Sequence, residues 1–452
     1  MSVFQLGEVA SIVRGISFPK EDKRSEPLPG YVACLRTTNV QRTVEWHDLW
    51  FVPEGHVKRE EQLVRKGDIL ISTANSYELV GKIAPVTGLL HKATLGAFIS
   101  LIRPNELVDP KFLYHQLAWG KTQGRIRETA STTTNISNVS TKKLLTLDLF
   151  VPDLDKQREI VAEIEKQFSR LDEAVANLQR VKANLKRYKA SVLKAAVEGR
   201  LVETEASIAQ REGRSYETGE QLLQRILEER QANWAGRGKW KVPESPSADT
   251  PLPDGWVWSC IDQLAEVGTG ATPKRDKAVY WNDGDVPWVT SSVVNGDYVD
   301  EASEFVTKLA LAETNLTLYP VGTLLIAMYG EGKTRGKCAE LRVPATTNQA
   351  LAALQVTSAV RGYVRQFLEL NYEEMRKVAS GGVQPNLNLS LVRAVCVPLP
   401  PLAEQIRIVA EIDRHLSIVR GVEAEIDANL KRAQALRHSV LNKGLGAFDT
   451  DR

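Results

Sequence analysis

Apolar residues recur three and four positions apart over two long stretches of the chain, the spacing of a helix that buries a single seam. The first stretch carries Val161, Ile164, Phe168, Leu171, Val175 and Leu178. The second carries Val409, Ile412, Leu416, Val419, Ile426, Leu430 and Val440. Prolines precede both stretches and glycines follow them, as helix start and stop signals do. We therefore predict two helices of roughly 40 residues, each about 60 Å long at 1.5 Å per residue.

The first seam changes phase at Val181, which follows Leu178 by only three residues. Leu185, Tyr188 and Val192 then resume the alternation, and such a step is typical of a local stammer. A single seam on so long a helix needs a partner, and the other long helix is available. The sequence predicts an antiparallel coiled coil between the two; the alternative is that each helix packs on its own globular domain.

The remaining segments mix short β-like runs with shorter helices. The runs end at glycine or polar turns and cover 68–72, 98–102, 323–328 and 351–356. Helical patterns cover 110–119, 360–378 and the amphipathic stretch 217–234. A polar, proline-spotted linker covers 236–253. These elements predict a mixed α/β fold.

The two halves of the chain are copies of one plan. Ile160-Val161-Ala162-Glu163-Ile164 recurs as Ile408-Val409-Ala410-Glu411-Ile412, and Gln405 stands where Gln157 stands. Upstream, 67–71 aligns with 322–326, Gly81-Lys82 with Gly336-Lys337, and 32–40 with 286–294. A repeat of this size indicates an internal duplication, which predicts a pseudo-two-fold molecule of two globular domains and two helices.

Composition narrows the class of protein without naming a function. The 43% of hydrophobic and 25% of charged residues are ordinary for globular proteins, and no run of eighteen apolar residues or signal-peptide pattern is found. Four distant cysteines without a CxxC pair suit a reducing compartment, so we expect a cytoplasmic protein. The net charge of +2 supports nucleic-acid binding only weakly. The local charge at 180–200 supports nucleic-acid binding better, because this stretch contains seven basic residues and the single acidic residue Glu198. A solvated helix face explains the basic run equally well.

Catalytic motifs are not found in the sequence. There is no Asn/Asp-Pro-Pro-aromatic loop of an adenine methyltransferase, and Gly268-Thr269-Gly270 has no third glycine at dinucleotide-binding spacing. Gly330–Thr334 resembles the end of a P-loop, but Ala327 occupies the position of the first glycine. The six histidines lack metal-ligand spacing. We therefore expect a protein that is not an enzyme and binds no cofactor.

Several motifs in the second half resemble those of one protein family. The resemblance covers nearly the whole length of the chain. The motifs are 252–256 (LPDGW), 322–330 (GTLLIAMYG), 347–350 (TNQA), 382–387 (GVQPNL) and 397–405 (VPLPPLAEQ). Jointly they resemble the specificity subunits of Type I restriction–modification systems. The first half departs from the pattern at 131–136 (STTTNI) and at Asp155-Lys156-Gln157. The resemblance implies target recognition domains at 1–150 and 251–396, conserved helical regions at 151–202 and 397–446, and a helical linker at 203–250.

The resemblance also implies a function and its partners. Each target recognition domain would read one half of a bipartite, asymmetric site on double-stranded DNA, and the paired helices would set the spacer between the halves. Two modification subunits would dock on the helices and carry S-adenosylmethionine for adenine N6 methylation. Two restriction subunits, with ATP and Mg, would complete the complex. Two rival interpretations are an enzyme, namely a fused restriction–methylation protein of which this chain would be the recognition half, and a coiled-coil scaffold without a DNA role.

Major-groove readers need Arg, Lys, amide and hydroxyl side chains on loops, because these match the hydrogen-bonding patterns of base pairs. Such residues cluster on the expected loops. In the first half the candidates are Arg36, Thr37, Thr38, Asn39, Ser72, Asn75, Ser76 and Lys82. In the second half they are Lys274, Arg275, Thr290, Ser291, Ser292, Tyr329, Lys333, Thr334, Arg335, Lys337 and Gln384. Any of them is alternatively an ordinary turn former.

Overall fold

The computed structural model describes residues 2–133, 136–234, 239–246, 248, 250–330, 334–372, 375–376 and 386–446. The chain divides into two compact units, one of Met1–Arg180 with Ile426–Arg452 and the other of Val181–Glu425. Each unit thus contains a globular region and one end of each long helix.

The first unit combines small sheets with short helices. Its strands are β1 (Ser2–Gln5), β2 (Ala10–Arg14), β3 (Tyr31–Leu35), β4 (Trp50–Pro53), β5 (Ile69–Ser72), β6 (Ala74–Asn75), β7 (Ile83–Pro85), β8 (Ala93–Leu95), β9 (Ile99–Pro104), β10 (Ala130–Thr133), β11 (Ile136–Val139) and β12 (Asp148–Val151). Its helices are α1 (Leu6–Val9), α2 (Pro110–Ala118), α3 (Gly120–Glu128), α4 (Thr141–Leu145) and the start of α5 (Leu154–Val197). The sheets have the orders β2–β9–β5–β7, β4–β3–β8, β10–β11–β6 and β1–β12.

The second unit repeats this architecture. Its strands are β13 (Val257–Cys260), β14 (Ala265–Thr269), β15 (Val286–Val289), β16 (Tyr298–Val299), β17 (Glu304–Val306), β18 (Leu324–Ala327), β19 (Cys338–Leu341), β20 (Thr346–Thr347), β21 (Leu351–Val356) and β22 (Cys396–Leu399). Its helices are α6 (Glu205–Glu212), α7 (Gly219–Ala232), α8 (Ile261–Leu264), α9 (Lys308–Glu313), α10 (Arg361–Leu370), α11 (Leu389–Arg393) and the start of α12 (Leu402–Leu445). The sheets have the orders β14–β21–β18–β19–β16, β17–β15–β20 and β13–β22.

Equivalent strands pair in equivalent registers in the two units. In the first, β3 pairs antiparallel with β4 through Val32↔Val52 and parallel with β8. In the second, β15 pairs antiparallel with β17 through Val286↔Val306 and parallel with β20. The duplication that the sequence predicts is therefore a duplication of topology, and the mixed α/β fold is confirmed.

A β-hairpin turn has the same backbone geometry in both units. Gly81 and Gly336 both have positive φ, +81° and +85°, a conformation that glycine adopts without strain. Their N–H groups donate to Ser72 O and Ala327 O, each at 2.8 Å. The lysine after each glycine, Lys82 or Lys337, therefore leaves the hairpin in the same direction in both units.

The amphipathic pattern places each short helix. Asp109 begins α2 by accepting hydrogen bonds from the N–H groups of Lys111 and Phe112, with Pro110 at the first helical position. The helix then buries Phe112, Leu113 and Leu117 in the core of the first unit. In the second unit α10 buries Val364 and Leu368 in the same way. The predicted helix at 360–378 is interrupted, because α10 ends at Leu370 with Asn371 as its C-cap; positions 373, 374, 377 and 378 lie outside the described residues.

Both long helices are present, each 44 residues in length. In the first unit the start of α5 packs beside the end of α12, where Gly444 lies against Ile164. In the second unit the end of α5 packs beside the start of α12, where Tyr188 Oη lies 2.6 Å from His415 Nδ1. Within each unit the two helices therefore run antiparallel, as expected for the predicted coiled coil.

The change of phase predicted at Val181 stays a prediction. Leu185, Lys189 and Val192 are half-buried or buried, and Tyr188 contacts His415 of α12 although it is 43% exposed. Val181 and Lys182 are both exposed, so neither of these adjacent positions is buried in the seam.

The repeated glutamines close the start of each long helix. Gln157 Nε2 donates to Pro152 O at 2.7 Å, and Gln405 Nε2 donates to Pro400 O at 2.8 Å. Both side chains are buried. Because a buried amide is costly unless it is hydrogen-bonded, this contact explains why glutamine recurs at a position with no chemistry of its own.

Candidate nucleic-acid interface

A short turn of 3₁₀ helix follows the first strand of each β4–β3–β8-type sheet and carries several of the predicted reading residues. In the first unit it is Thr37–Asn39, and in the second it is Ser291–Asn295. Thr38 and Ser292 are exposed, and Thr37, Thr290 and Ser291 are half-exposed. Thr290 Oγ1 and Ser292 Oγ lie 3.0 Å apart. The equivalent turns thus present equivalent hydroxyl groups.

Arg36 is held firmly beside this turn in the first unit. Its Nη2 donates to Asp48 O at 2.5 Å and to Asp48 Oδ2 at 2.6 Å. Its guanidinium lies 4.3 Å from the centre of the Trp50 ring, and Lys23 Nζ lies 4.4 Å from the same ring. Such cation–π contacts fix long basic side chains against an apolar surface.

A cavity of about 540 Å³ opens next to Arg36. Its wall combines aromatic and basic side chains with the hydroxyl turn: Phe18, Lys20, Lys23, Arg36, Thr37, Thr38, Trp50 and Phe98. Phe98 is 62% exposed. A surface of cations, hydroxyls and flat rings is suited to phosphates and base edges.

Two of the predicted reading residues, Asn39 and Ser72, are buried and have a structural role. Asn39 is 2% exposed; its Oδ1 accepts from Arg36 N, and its Nδ2 donates to Glu45 O and His47 O. Ser72 is 1% exposed at the end of β5. Both therefore shape the loops that carry the exposed candidates, rather than presenting free polar groups themselves.

A lysine on each hairpin turn reaches the end of the 3₁₀ turn or the residues just after it. Lys82 Nζ donates to Gln41 Oε1 in the first unit. Lys337 Nζ donates to Asn295 Oδ1 at 3.1 Å in the second. Nearby, Asn75 lies on β6, its Oδ1 accepts from Ser76 N at 2.9 Å, and Ser76 is exposed. The hairpin and the 3₁₀ turn thus form one continuous polar surface in each unit.

Arg275 forms an arginine–tryptophan stack in the second unit. Its guanidinium lies 3.8 Å from the Trp281 ring and 4.9 Å from the Trp288 ring, and it donates to Glu304 Oε2 at 2.5 Å. Lys274 beside it is exposed, and its carbonyl accepts from Trp281 Nε1 at 3.1 Å. Trp281 and Trp288 were not among the reading residues predicted from the sequence. The signal that could have identified them is the presence of aromatic residues shortly after Lys274-Arg275.

The other second-half candidates lie around the β18–β19 hairpin. Tyr329 is 40% exposed, and Thr334, Arg335 and Lys337 are half-exposed. Lys333 and Gln384 lie outside the described residues.

One thiol next to the first-unit turn is chemically inert. Cys34 is buried on β3, and burial raises its pKa to about 12, despite the opposing charge of Arg36. The thiol therefore stays protonated at neutral pH and offers no nucleophile beside this surface.

A protein-family model described as "Type I restriction modification DNA specificity domain" matches residues 1–187 and 253–432. The chain belongs to this family. The matched segments contain both polar surfaces described above, and the family is one of DNA sequence specificity rather than catalysis. Among the described residues, no helix combines the length and apolarity needed to cross a membrane.

Individual relatives agree with the family. The chain is 22% identical over 445 residues to the Type I restriction enzyme EcoKI specificity subunit of Escherichia coli strain K12, covering 96% of this chain and 86% of the relative. Its fold is similar to the HsdS subunit from Thermoanaerobacter tengcongensis, with a TM-score of 0.53 at 19% identity over 98% of this chain and 96% of the other. A chain from a study of complex assembly and conformational transition of the type I R-M system gives 0.65 at 20% identity, over 100% and 98%. At these identities the solved structures support the fold alone.

Proposed function

We propose that this chain reads a bipartite, asymmetric site on double-stranded DNA, with one target recognition domain at 1–150 and the other at 251–396. One observation carries the proposal: the two units present the same sheet-and-turn framework with different polar side chains at equivalent positions. Arg36, Gln41 and Trp50 of the first unit correspond to Thr290, Asn295 and Glu304 of the second. Different donor and acceptor patterns select different base pairs, so the two half-sites differ in sequence.

The exposed hydroxyls and arginines are assigned to base edges, and the lysines to phosphates. Thr38 and Ser292 are exposed and Thr37 and Ser291 half-exposed on the two 3₁₀ turns, where a loop can enter a groove. Lys82 and Lys337 flank these turns as point charges, which suits positioning on the backbone rather than reading of bases.

The helical regions 151–202 and 397–446 are proposed to set the spacer and to dock two modification subunits. Apolar side chains exposed on α12 support the docking role: Ile406, Ile418 and Leu436 are 63%, 52% and 53% exposed. On a helix whose seam is already buried, such side chains suit a protein interface. S-adenosylmethionine is assigned to the modification subunits, and ATP and Mg to two restriction subunits.

The experiment that tests the proposal is a methylome map of cells that co-express this chain with its modification subunit. We expect N6-methyladenine at one split motif, with a modified adenine in each half and two different half-sites. A continuous motif would contradict the paired readers, and a palindromic motif would contradict the asymmetry.

The near-neutral net charge of +2 suggests that partners contribute much of the grip on DNA. The isolated chain is therefore expected to bind DNA weakly, and the complex with modification subunits to bind it tightly and specifically. Fluorescence anisotropy with a duplex that carries the mapped motif compares the two; tight specific binding by the isolated chain would contradict this division of labour.

A further inference from the structure

An open cleft in the second unit lies between the end of α5 and the reading surface. Its volume is about 380 Å³. We call it the lysine cleft and define it by Lys186, Lys189, Asn295, Gly296, Lys337 and Arg365, which line it together with several apolar and acidic neighbours. It therefore borders the hairpin lysine and the 3₁₀ turn already assigned to DNA.

The equivalent place in the first unit is filled by ion pairs. Arg42 Nη2 lies 2.5 Å from Asp172 Oδ2, and Arg437 Nη1 lies 2.7 Å from Asp172 Oδ1. In the register of the repeat, Arg42 corresponds to Gly296 and Arg437 corresponds to Lys189. At this place the first unit pairs an arginine of the loop, Arg42, with a carboxylate of the helix, Asp172. The second unit has a glycine on the loop, Gly296, and basic residues on the helix.

Most cations of the lysine cleft have internal partners, and one does not. Lys189 Nζ lies 2.8 Å from Glu369 Oε1, Lys337 Nζ donates to Asn295, and Arg365 Nη1 donates to Tyr298 Oη at 2.6 Å. Lys186 is exposed and makes no ion pair or hydrogen bond with any residue that the structure describes. The charge of Lys186 is thus available to an external anion.

The surroundings indicate from which side that anion comes. A second cavity of about 520 Å³ shares Lys189, Arg365, Asp297 and Glu369 with the lysine cleft and is lined in addition by Asp413, Glu423 and Arg420. Two carboxylates thus belong to the second cavity alone, whereas Lys186 and Lys337 belong to the lysine cleft alone. A phosphate is therefore attracted to the side of Lys186 and Lys337. That side is continuous with the reading surface, so a duplex on the surface brings its backbone past the cleft.

We propose that the lysine cleft binds a phosphodiester of the DNA backbone next to the second half-site, through Lys186 with Lys337 and Lys189 beside it. The inference rests on the proposed function and extends it. It assigns a DNA contact to the basic run at 180–200, on a helix otherwise given to spacing and docking. The contact is one-sided, because the first unit closes the equivalent place with its own ion pairs.

The test uses the full complex with modification subunits and a duplex that carries the motif found by methylome mapping. Binding constants are measured from 50 to 400 mM salt for the wild type and for Lys186→Gln. Loss of one phosphate contact is expected to reduce the slope of log K against log salt by about 0.9 and to weaken binding roughly three- to tenfold at moderate salt. Target and mutated-target duplexes are expected to weaken alike, because phosphates carry no sequence information.

Arg187→Gln is the matched control, since it removes the same charge from the neighbouring exposed position of α5 outside the cleft. Its slope is expected to equal that of the wild type. Gly296→Glu is a second probe that leaves the lysines intact. A side chain fits there, because an added Cβ has its nearest contact at 3.5 Å, and the new carboxylate is expected to compete with the phosphate and reproduce the Lys186→Gln loss.

Each other outcome has one meaning. An unchanged slope for Lys186→Gln, in a complex that still selects its target, overturns the phosphate site. Loss of a modification subunit from the Lys186→Gln complex in size-exclusion chromatography overturns it as well, because the cleft is then a protein contact. If the wild-type complex does not prefer its motif at all, the proposed function itself fails.

Discussion

The two units share a framework and differ in how the loop after the 3₁₀ turn meets the long helices. In the first unit Asp172 of α5 pairs with both Arg42 and Arg437, so the loop is held to α5 and, through Asp172, to α12. In the second unit Gly296 leaves an open cleft beside Lys186 and Lys189. The difference shows that the two copies of a duplicated fold keep the same buried positions. Polar residues at an equivalent surface position form ion pairs in one copy and leave an open cleft in the other.

The arginine–tryptophan stacks teach the same point from another direction. Arg36 lies over Trp50 in the first unit, and Arg275 lies over Trp281 and Trp288 in the second. In the register of the repeat Arg36 corresponds to Thr290, so the two stacks are not copies of each other. Each unit reaches a flat, cationic surface beside its 3₁₀ turn with its own residues, as two readers of different sequences require.

The largest effect is expected from what the units share, the antiparallel helices. Insertion of one heptad into α5 after Arg180, together with one into α12 after Glu425, lengthens each helix by about 10 Å, or about three base pairs of DNA. We expect binding at the original spacing to fall more than 100-fold, and the methylome to show the same half-sites with a spacer about three base pairs longer. Changed half-sites would contradict the spacing role; insertion into α5 alone is the control and is expected to abolish methylation.

The next effect separates the two readers. Thr37→Ala with Thr38→Ala removes the hydroxyls of the first turn, and Ser291→Ala with Ser292→Ala removes those of the second. We expect each double variant to lose roughly ten- to a hundredfold in affinity, since a base contact contributes about 1–3 kcal/mol. Each should relax selection in one half-site only. Competition with duplexes mutated in either half measures this, and relaxation of both half-sites by one variant would contradict separate readers.

A pH-dependent difference is expected between α2 and α10. His115 is 5% exposed beside Phe168, and burial lowers its pKa to about 4, while the equivalent residue on α10 is Gln366. Because the unfolded histidine takes up its proton near pH 6.5 and the folded one near 4, stability is lost as pH falls through this window. The loss is on the order of 2 kcal/mol by pH 5.

His115→Gln copies the second unit and removes this proton uptake. Thermal unfolding at pH 7.5 and pH 5 is expected to show a smaller loss of stability for the variant than for the wild type. Gln366→Ala, at the equivalent position of the other unit, controls for a cavity without a titrating group. Equal acid sensitivity of the wild type and His115→Gln would show that His115 does not titrate in this range.

The smallest effect concerns the ion pairs that close the first unit. Burial disfavours the charge on Asp172, but the guanidinium groups of Arg42 and Arg437 outweigh it and lower the pKa of the carboxyl. Since these side chains remain partly exposed, Asp172→Asn is expected to cost only about 0.5–1 kcal/mol of unfolding free energy. Chemical denaturation measures it. Arg420→Gln, at the equivalent position of α12, should change stability by less, and a larger loss there would contradict the comparison.

The regular elements were largely predictable from residue patterns. The β-like runs at 68–72 and 351–356 correspond to β5 and β21, and the amphipathic stretch at 217–234 corresponds to α7. The pattern was least informative at polar positions. Lys189 is half-buried on α5 although its side chain is charged, and Asn371 caps α10 within a stretch that the pattern predicts as one helix.

The sequence by itself determined the duplication and the two long helices, and it predicted the antiparallel pairing of their seams and the family. These rest on apolar periodicity and on repeated motifs, which are local and survive divergence. Only the tertiary structure decided that Asn39 is buried and that arginine side chains lie over the rings of Trp50 and Trp281. It also decided that a cleft is open beside Gly296, where Arg42 closes the equivalent place of the first unit. The physical reason is that burial and ion pairing depend on residues far apart in the chain, and a loop's composition does not state which of its polar groups are already hydrogen-bonded within the fold.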